Sequence, residues 1–300
     1  MALVITSEYF IITVILNTLG VLSSAFIVAF NLWNWAKGRK LNTCDLIFLA
    51  LGTSCTCLQC TVLIDCCFPL IWNNGDVMEH GTPVIFQFQI WAGSCTFWFT
   101  TGLCVFYCVK IVDFSHPISS WLKLRISKIV PWLLLGKTVG SGVISIPVYW
   151  YSYRESPQPP TANVTASAPV MYGVLRLNQS YDVVVTLLGF LLPALFCITT
   201  ISLILISLKR HTRRMKEKIG FSQPRLEAHF GAAKVVGSLL LLCTLCSVAH
   251  LFTLFTTRSL LLFILWFIIV STTPTQSIIL ILGNTKLKHA LWKALTLWRK

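Results

Sequence analysis

The chain has 300 residues, of which 55% are hydrophobic and only 11% charged, with a formal net charge of +14. Soluble domains carry about 25% charged residues, so this composition excludes a soluble globular domain and points to a multi-pass membrane protein. The basic residues fall in short runs between apolar stretches, which is the positive-inside pattern of membrane proteins and excludes nucleic acid as a partner.

Seven apolar runs are long enough to cross ~30 Å of hydrocarbon as helices. They cover approximately 9–35, 45–71, 83–109, 129–151, 182–208, 234–256 and 259–282. The first eight residues have no basic region, so no cleavable signal peptide is expected and span one should act as its own anchor. Lys37, Arg39 and Lys40 follow span one. Span two carries Asp65, and an acidic connection with Asp76 and Glu79 leads to span three. Span three closes a 29-residue uncharged run, Gly81 to Val109, that ends at Lys110. A basic segment with Lys123, Arg125 and Lys128 precedes span four, which holds Lys137 near its middle.

The one long connection on the other side, 152–181, contains Pro157, Pro159 and Pro160 and two sequons, Asn163-Val-Thr165 and Asn178-Gln-Ser180. Asn163 and Asn178 are the expected glycosylation sites. Span five runs into a strongly basic connection from Lys209 to Arg225. Counting all connections, 20 of the 24 Lys and Arg lie on one side. That side is expected to be cytosolic, with the amino terminus outside and the carboxyl terminus inside. After span seven, Leu287, Leu291, Leu295 and Trp298 recur at helical spacing opposite Lys286, Lys293 and Arg299. This predicts a short amphipathic helix over 286–299 lying on membrane lipid.

No constellation for catalysis assembles. No span holds paired carboxylates, no Ser/His/Asp set falls at one depth, and span seven lacks a lysine for a retinal Schiff base. No enzyme activity, cofactor or metal is expected. The twelve cysteines lie mostly inside apolar runs and read as small buried hydrophobes. Ionisable groups in lipid tend to face the bundle, which singles out Asp65, Lys137 and His250; Lys137 is expected to snorkel or to pair internally. At ~1.5 Å per residue, Asp65, Gln89, His250 and Trp266 lie ~10 Å below the outer surface on helices two, three, six and seven.

Motifs then narrow the class. The run Phe106-Tyr107-x-x-Lys110-Ile111-x-x-Phe114-Ser115-His116-Pro117, with Trp121-Leu122-Lys123-x-Arg125-Ile126 after it, resembles the third-helix signature of type 2 bitter taste receptors. Three further blocks agree, in family order. Ser207-Leu208-x-x-His211-x-x-x-Met215 ends span five, Ala228-His229-x-x-Ala232-x-Lys234 opens span six, and Ser277 to Asn284 with Lys286-Leu287-Lys288 ends span seven.

The resemblance implies an all-α, seven-transmembrane helix bundle forming a single receptor domain over 1–300 in the plasma membrane. It implies a small-molecule agonist and a heterotrimeric, gustducin-like G protein as partners. Tyr107, Lys110, His211, Met215 and His229 would line the G-protein mouth. Gln89 and Trp266 fall where the family has pocket residues, with Asp65 and His250 at the same depth and Cys246 one turn from His250 on span six. Where the family often has an aromatic, this chain has Gln89, so ligand stacking passes to Trp266 or Trp91. Vomeronasal type 1-like receptors are the nearest alternative family, and a seven-span transporter or channel is the alternative from another class.

The chain also departs from the family pattern. Ser24 replaces the usual Asn of span one, Cys55 replaces the Arg of span two, and Gln276 replaces the His of span seven. The polar network between helices one, two and seven is therefore expected to be rewired. The long outer connection has no cysteine, so no disulfide from it to helix three is expected.

Overall fold

A computed structural model describes residues 2–71, 75–112, 117–155, 174–218, 223–256 and 259–298. Uncharged backbone in lipid has no water to bond, so it satisfies its N–H and C=O groups within helices. Among the described residues, seven helices are long and apolar enough to cross a membrane, at Phe10–Ala36, Thr43–Phe68, Glu79–Lys110, Arg125–Tyr151, Gln179–Ser207, Lys234–Phe255 and Leu260–Gly283. They belong to α1 (Ala2–Ala36), α2 (Thr43–Ile71), α3 (Gly75–Ile111), α4 (Pro117–Ser145) with the short α5 (Val148–Tyr151), α6 (Gln179–Val185) continuing into α7 (Leu192–Lys218), α8 (Gln223–Phe255) and α9 (Ser259–Gly283). A terminal helix, α10 (Thr285–Trp298), follows.

Local chemistry sets where several helices stop and start. Gly38 ends α1 with φ 75°, the left-handed conformation of a helix C-terminal glycine, and its N–H reaches the Trp35 carbonyl. At the start of α2 the Asp45 carboxylate accepts from the Asn42 N–H at 3.3 Å and also meets Lys286 Nζ of α10 at 3.4 Å. Asn284 caps α10, its Oδ1 accepting from the N–H groups of Lys286 and Leu287.

The long connection has structure at both of its ends. Ser152–Glu155 (β1) pairs antiparallel with Val174–Leu177 (β2), Ser152 opposite Leu177. This hairpin has no counterpart in the apolar-run analysis, because four-residue strands leave little periodicity. It is clamped to the bundle. The Asn178 N–H donates to the Tyr151 carbonyl at 2.8 Å, Tyr151 stacks on Tyr181 at 5.1 Å, and the Tyr181 hydroxyl donates to the Ile144 carbonyl.

Helix α3 is the most buried of the seven and α4 the least. One core cluster joins α1, α2, α3, α4, α8, α9 and α10 through Ile27, Phe48, Leu51, Leu103, Ile126, Leu239, Leu280 and Leu287. A second, around Phe97, Val148, Leu177, Val185, Phe190, Cys243 and Cys246, occupies the half nearer the hairpin. Large apolar side chains such as Trp33, Trp132 and Leu241 remain exposed on the outside of the bundle, as expected for a surface that meets lipid rather than water. Below, the basic end is the end carrying Lys110, Arg125 and Lys286, and the hairpin end is the opposite one.

Candidate functional site

The hairpin half is built around a break in the fifth span. Between α6 and α7, residues Thr186–Leu191 form a π-helical turn in which the Leu192 N–H donates to the Leu187 carbonyl. Pro193, which has no N–H, follows immediately and weakens the regular α pattern there. Such turns recur at functional sites because one extra residue re-aims the side chains around it. Here the turn carries Phe190. Its carbonyl accepts from Ser247 Oγ of α8 at 3.1 Å. Its ring meets Phe97 of α3 edge-on at 5.1 Å and stacks on His250 of α8 at 4.0 Å with 17° between planes. One aromatic side chain thus ties together helices three, five and six.

The six residues at candidate pocket positions fall into separate groups around this stack. His250 and Cys246 stand one turn apart on α8, and Cys246 Sγ accepts from Thr272 Oγ1 of α9 at 3.4 Å. Trp266 is half-buried on α9, six residues before Thr272. Gln89 is buried on α3, where its Nε2 donates to the Thr61 carbonyl of α2 at 3.4 Å, and Asp65 stands half-buried one turn further along α2. Trp91 turns the other way. Its Nε1 donates to the Thr138 carbonyl of α4 at 3.2 Å, and its ring meets Phe88 edge-on. Trp91 lines a cleft of about 190 Å³ between α3 and α4 with Gln87, Phe88, Gly142, Ser145 and Ile146. Lys137 is paired internally, its Nζ 3.5 Å from the centre of the Trp98 ring.

Below this level a polar seam crosses the bundle. Thr56 Oγ1 donates to Ser24 Oγ at 2.9 Å, and Ser24 Oγ lies 3.1 Å from Gln59 Oε1, joining α1 to α2. Thr96 Oγ1 donates to Ser54 Oγ at 3.1 Å, joining α2 to α3. Gln276 Nε2 donates to Thr100 Oγ1 at 2.7 Å, joining α3 to α9. Ser24 and Gln276, two of the three positions that depart from the family pattern, both take part in this seam. Without an arginine on α2, α9 is tied to α3 through Gln276, and α1 is tied to α2 through Gln59.

At the basic end, Tyr107 is half-buried, its hydroxyl 3.8 Å from Cys44 Sγ of α2. Lys110 is exposed and its Nζ lies 4.6 Å from the centre of the Phe106 ring. His211 and Met215 lie on α7 and His229 on α8; their side chains are outside the described residues. Asn163 is likewise outside the described residues. Asn178 is exposed and caps α6, its Oδ1 accepting from the Ser180 N–H at 3.2 Å. All twelve cysteines are free.

Sequence reasoning missed Phe190, Phe97, Ser247 and Thr100. The available signal for the first was Gly189-Phe190 ahead of Pro193 within an apolar run, which marks a break without saying which way the ring turns.

Seven membrane-length helices, closed by a polar seam and followed by an amphipathic helix, define a multi-pass membrane protein with the architecture of G-protein-coupled receptors. The family described as "Taste receptor protein (TAS2R)" matches residues 1–299. Taste receptor type 2 member 9 of Macaca mulatta is 33% identical over 294 residues, covering 93% of this chain and 90% of that relative. Taste receptor type 2 member 7 of Pongo pygmaeus is 34% identical over 303 residues, covering 93% of this chain and 91% of the relative. Taste receptor type 2 member 9 of Homo sapiens is 32% identical over 290 residues with similar coverage. The chain belongs to the type 2 taste receptor family.

Proposed function

We propose that this chain is a bitter taste receptor acting as a single unit in the plasma membrane, with its amino terminus outside and its basic end in the cytosol. The agonist is a small, mostly apolar or amphipathic molecule that enters the hairpin half of the bundle. The observation that carries this reading is the meeting of Phe97, Phe190 and His250 beside Cys246 and Thr272, an apolar aromatic core with a few convergent polar groups. Trp266, Gln89 and Asp65 supply further polar or stacking contacts from α9, α3 and α2.

An agonist shifts the receptor only by binding the active arrangement better than the resting one. Phe190 offers a route for that difference, because displacing its ring changes contacts to α3 and α8 at once. The basic ends of α3, α7 and α8 would then part to admit a heterotrimeric G protein of the gustducin type. Tyr107, half-buried against Cys44, supports the wall of that mouth, while Lys110 presents charge to the partner. His211, Met215 and His229 complete it from α7 and α8.

His250→Ala and Trp266→Ala are each expected to shift an agonist's dose–response curve about tenfold to higher concentration, ~1.4 kcal/mol, with surface expression retained. The response is read as nucleotide exchange on purified gustducin-like heterotrimer. Parent potency in both variants for several unrelated agonists would place the site elsewhere.

A further inference from the structure

We infer that the basic end of α4 carries a binding site for an anionic glycerophospholipid. A cleft of about 490 Å³ opens there, within the roughly 300–1,000 Å³ typical of small-ligand sites. Its described wall is Arg125, Lys128, Ile129 and Trp132. These positions are spaced i, i+3, i+4 and i+7, so they form one stripe along a single helix face. The stripe is ordered by chemistry. Arg125 and Lys128, both exposed, stand where the span begins. Ile129 and Trp132 follow toward the membrane interior, Trp132 at 75% exposure.

From Arg125 to Trp132 the helix rises ~10 Å, which spans the distance from the phosphate level to the upper acyl chain. Two cations at the interface match an anionic phosphate head, since basic residues near a membrane surface draw anionic lipid. The apolar stripe beneath them matches the glycerol and first methylenes, with the indole at the depth that tryptophan favours. The rest of α4 leaves room for such a partner, because this helix is the least buried of the seven. A soluble phosphate would use the two cations but leave Ile129 and Trp132 without a role, so the lipid is the occupant that accounts for all four residues.

The test uses the full chain in nanodiscs of one lipid mixture on both faces, so its outcome does not depend on orientation in the cell or on the agonist. Brominated acyl chains quench nearby indoles, and the contribution of Trp132 is the difference between the parent chain and Trp132→Phe. With a minor fraction of brominated phosphatidylserine in phosphatidylcholine, that difference should exceed the one from equal brominated phosphatidylcholine severalfold. Arg125→Gln/Lys128→Gln should equalise the two, and unlabelled phosphatidylglycerol should compete in the parent chain. Equal quenching by the two lipids in the parent chain, or a serine-lipid excess that survives in the double variant, would overturn the inference. So would loss of the excess on adding inorganic phosphate but not chloride at matched ionic strength, which would assign the cations to a free anion. If the double variant does not fold, the parent-chain comparison and the phosphatidylglycerol competition decide alone.

Discussion

Single residues set how closely the helices approach. Gly283 closes α9 against α8, and a Cβ there would overlap Val235 Cγ2 and stand 2.9 Å from its Cγ1. Gly20 plays the same part at the α1–α2 seam, where an added Cβ would stand 2.7 Å from the Gln59 side chain. Gln59 is wholly buried and its Oε1 accepts from Ser24 Oγ at 3.1 Å, so turning it aside would break that buried bond. Forcing a methyl into such a contact costs about 1–3 kcal/mol. Gly283→Ala should therefore lower the melting temperature of the purified receptor, and Val235→Ala added to it should restore most of the loss. A double variant no more stable than Gly283→Ala alone would show that the cost is not a clash with Val235.

At the scale of elements, α10 is held by two unequal contacts. Leu287 is 1% exposed and inserts into the core cluster shared by α1, α2 and α9. Lys286 is 58% exposed and pairs with Asp45 at the surface. Burying a leucine and then removing it costs about 2–5 kcal/mol, whereas an exposed ion pair contributes roughly 0–1 kcal/mol. Leu287→Ala is expected to destabilise the receptor by at least ~2 kcal/mol, and Lys286→Ala by less than ~1 kcal/mol. Thermal unfolding of the two variants side by side checks the order; equal losses would mean that the ion pair anchors the helix as much as the leucine does. The π turn shows the same principle. Its sequence breaks the helix locally, while Phe97, Ser247 and His250 on other helices fix where Phe190 points.

For the whole molecule, the testable property is orientation. Asn178 is exposed between β2 and α6, and its cap uses Oδ1, leaving Nδ2 available for a glycan. With the hairpin end outside, expressed receptor should lose apparent mass on glycosidase treatment. Asn178→Gln combined with Asn163→Gln should abolish the shift. An unshifted parent chain in a glycosylating host would contradict the orientation.

The seven helices were legible because hydrocarbon imposes a length and an apolarity that a sequence records directly. The amphipathic terminal helix was legible in the same way, from Leu287 and Leu291 at helical spacing. The candidate site was legible only as depth. Counting residues put Asp65, Gln89, His250 and Trp266 at similar levels, with Trp91 near Gln89, but a helix has a full circle of directions at each level. Packing decided those directions. It turned Trp91 toward Thr138 of α4, paired Gln89 with α2, and stacked His250 on a phenylalanine of the fifth span. The departures at Ser24, Cys55 and Gln276 announced that the polar seam must differ from the family pattern. Only tertiary structure assigned the new partners, because an interhelical hydrogen bond joins residues as far apart as Thr100 and Gln276, and no local pattern in the chain encodes which distant hydroxyl will lie 2.7 Å away.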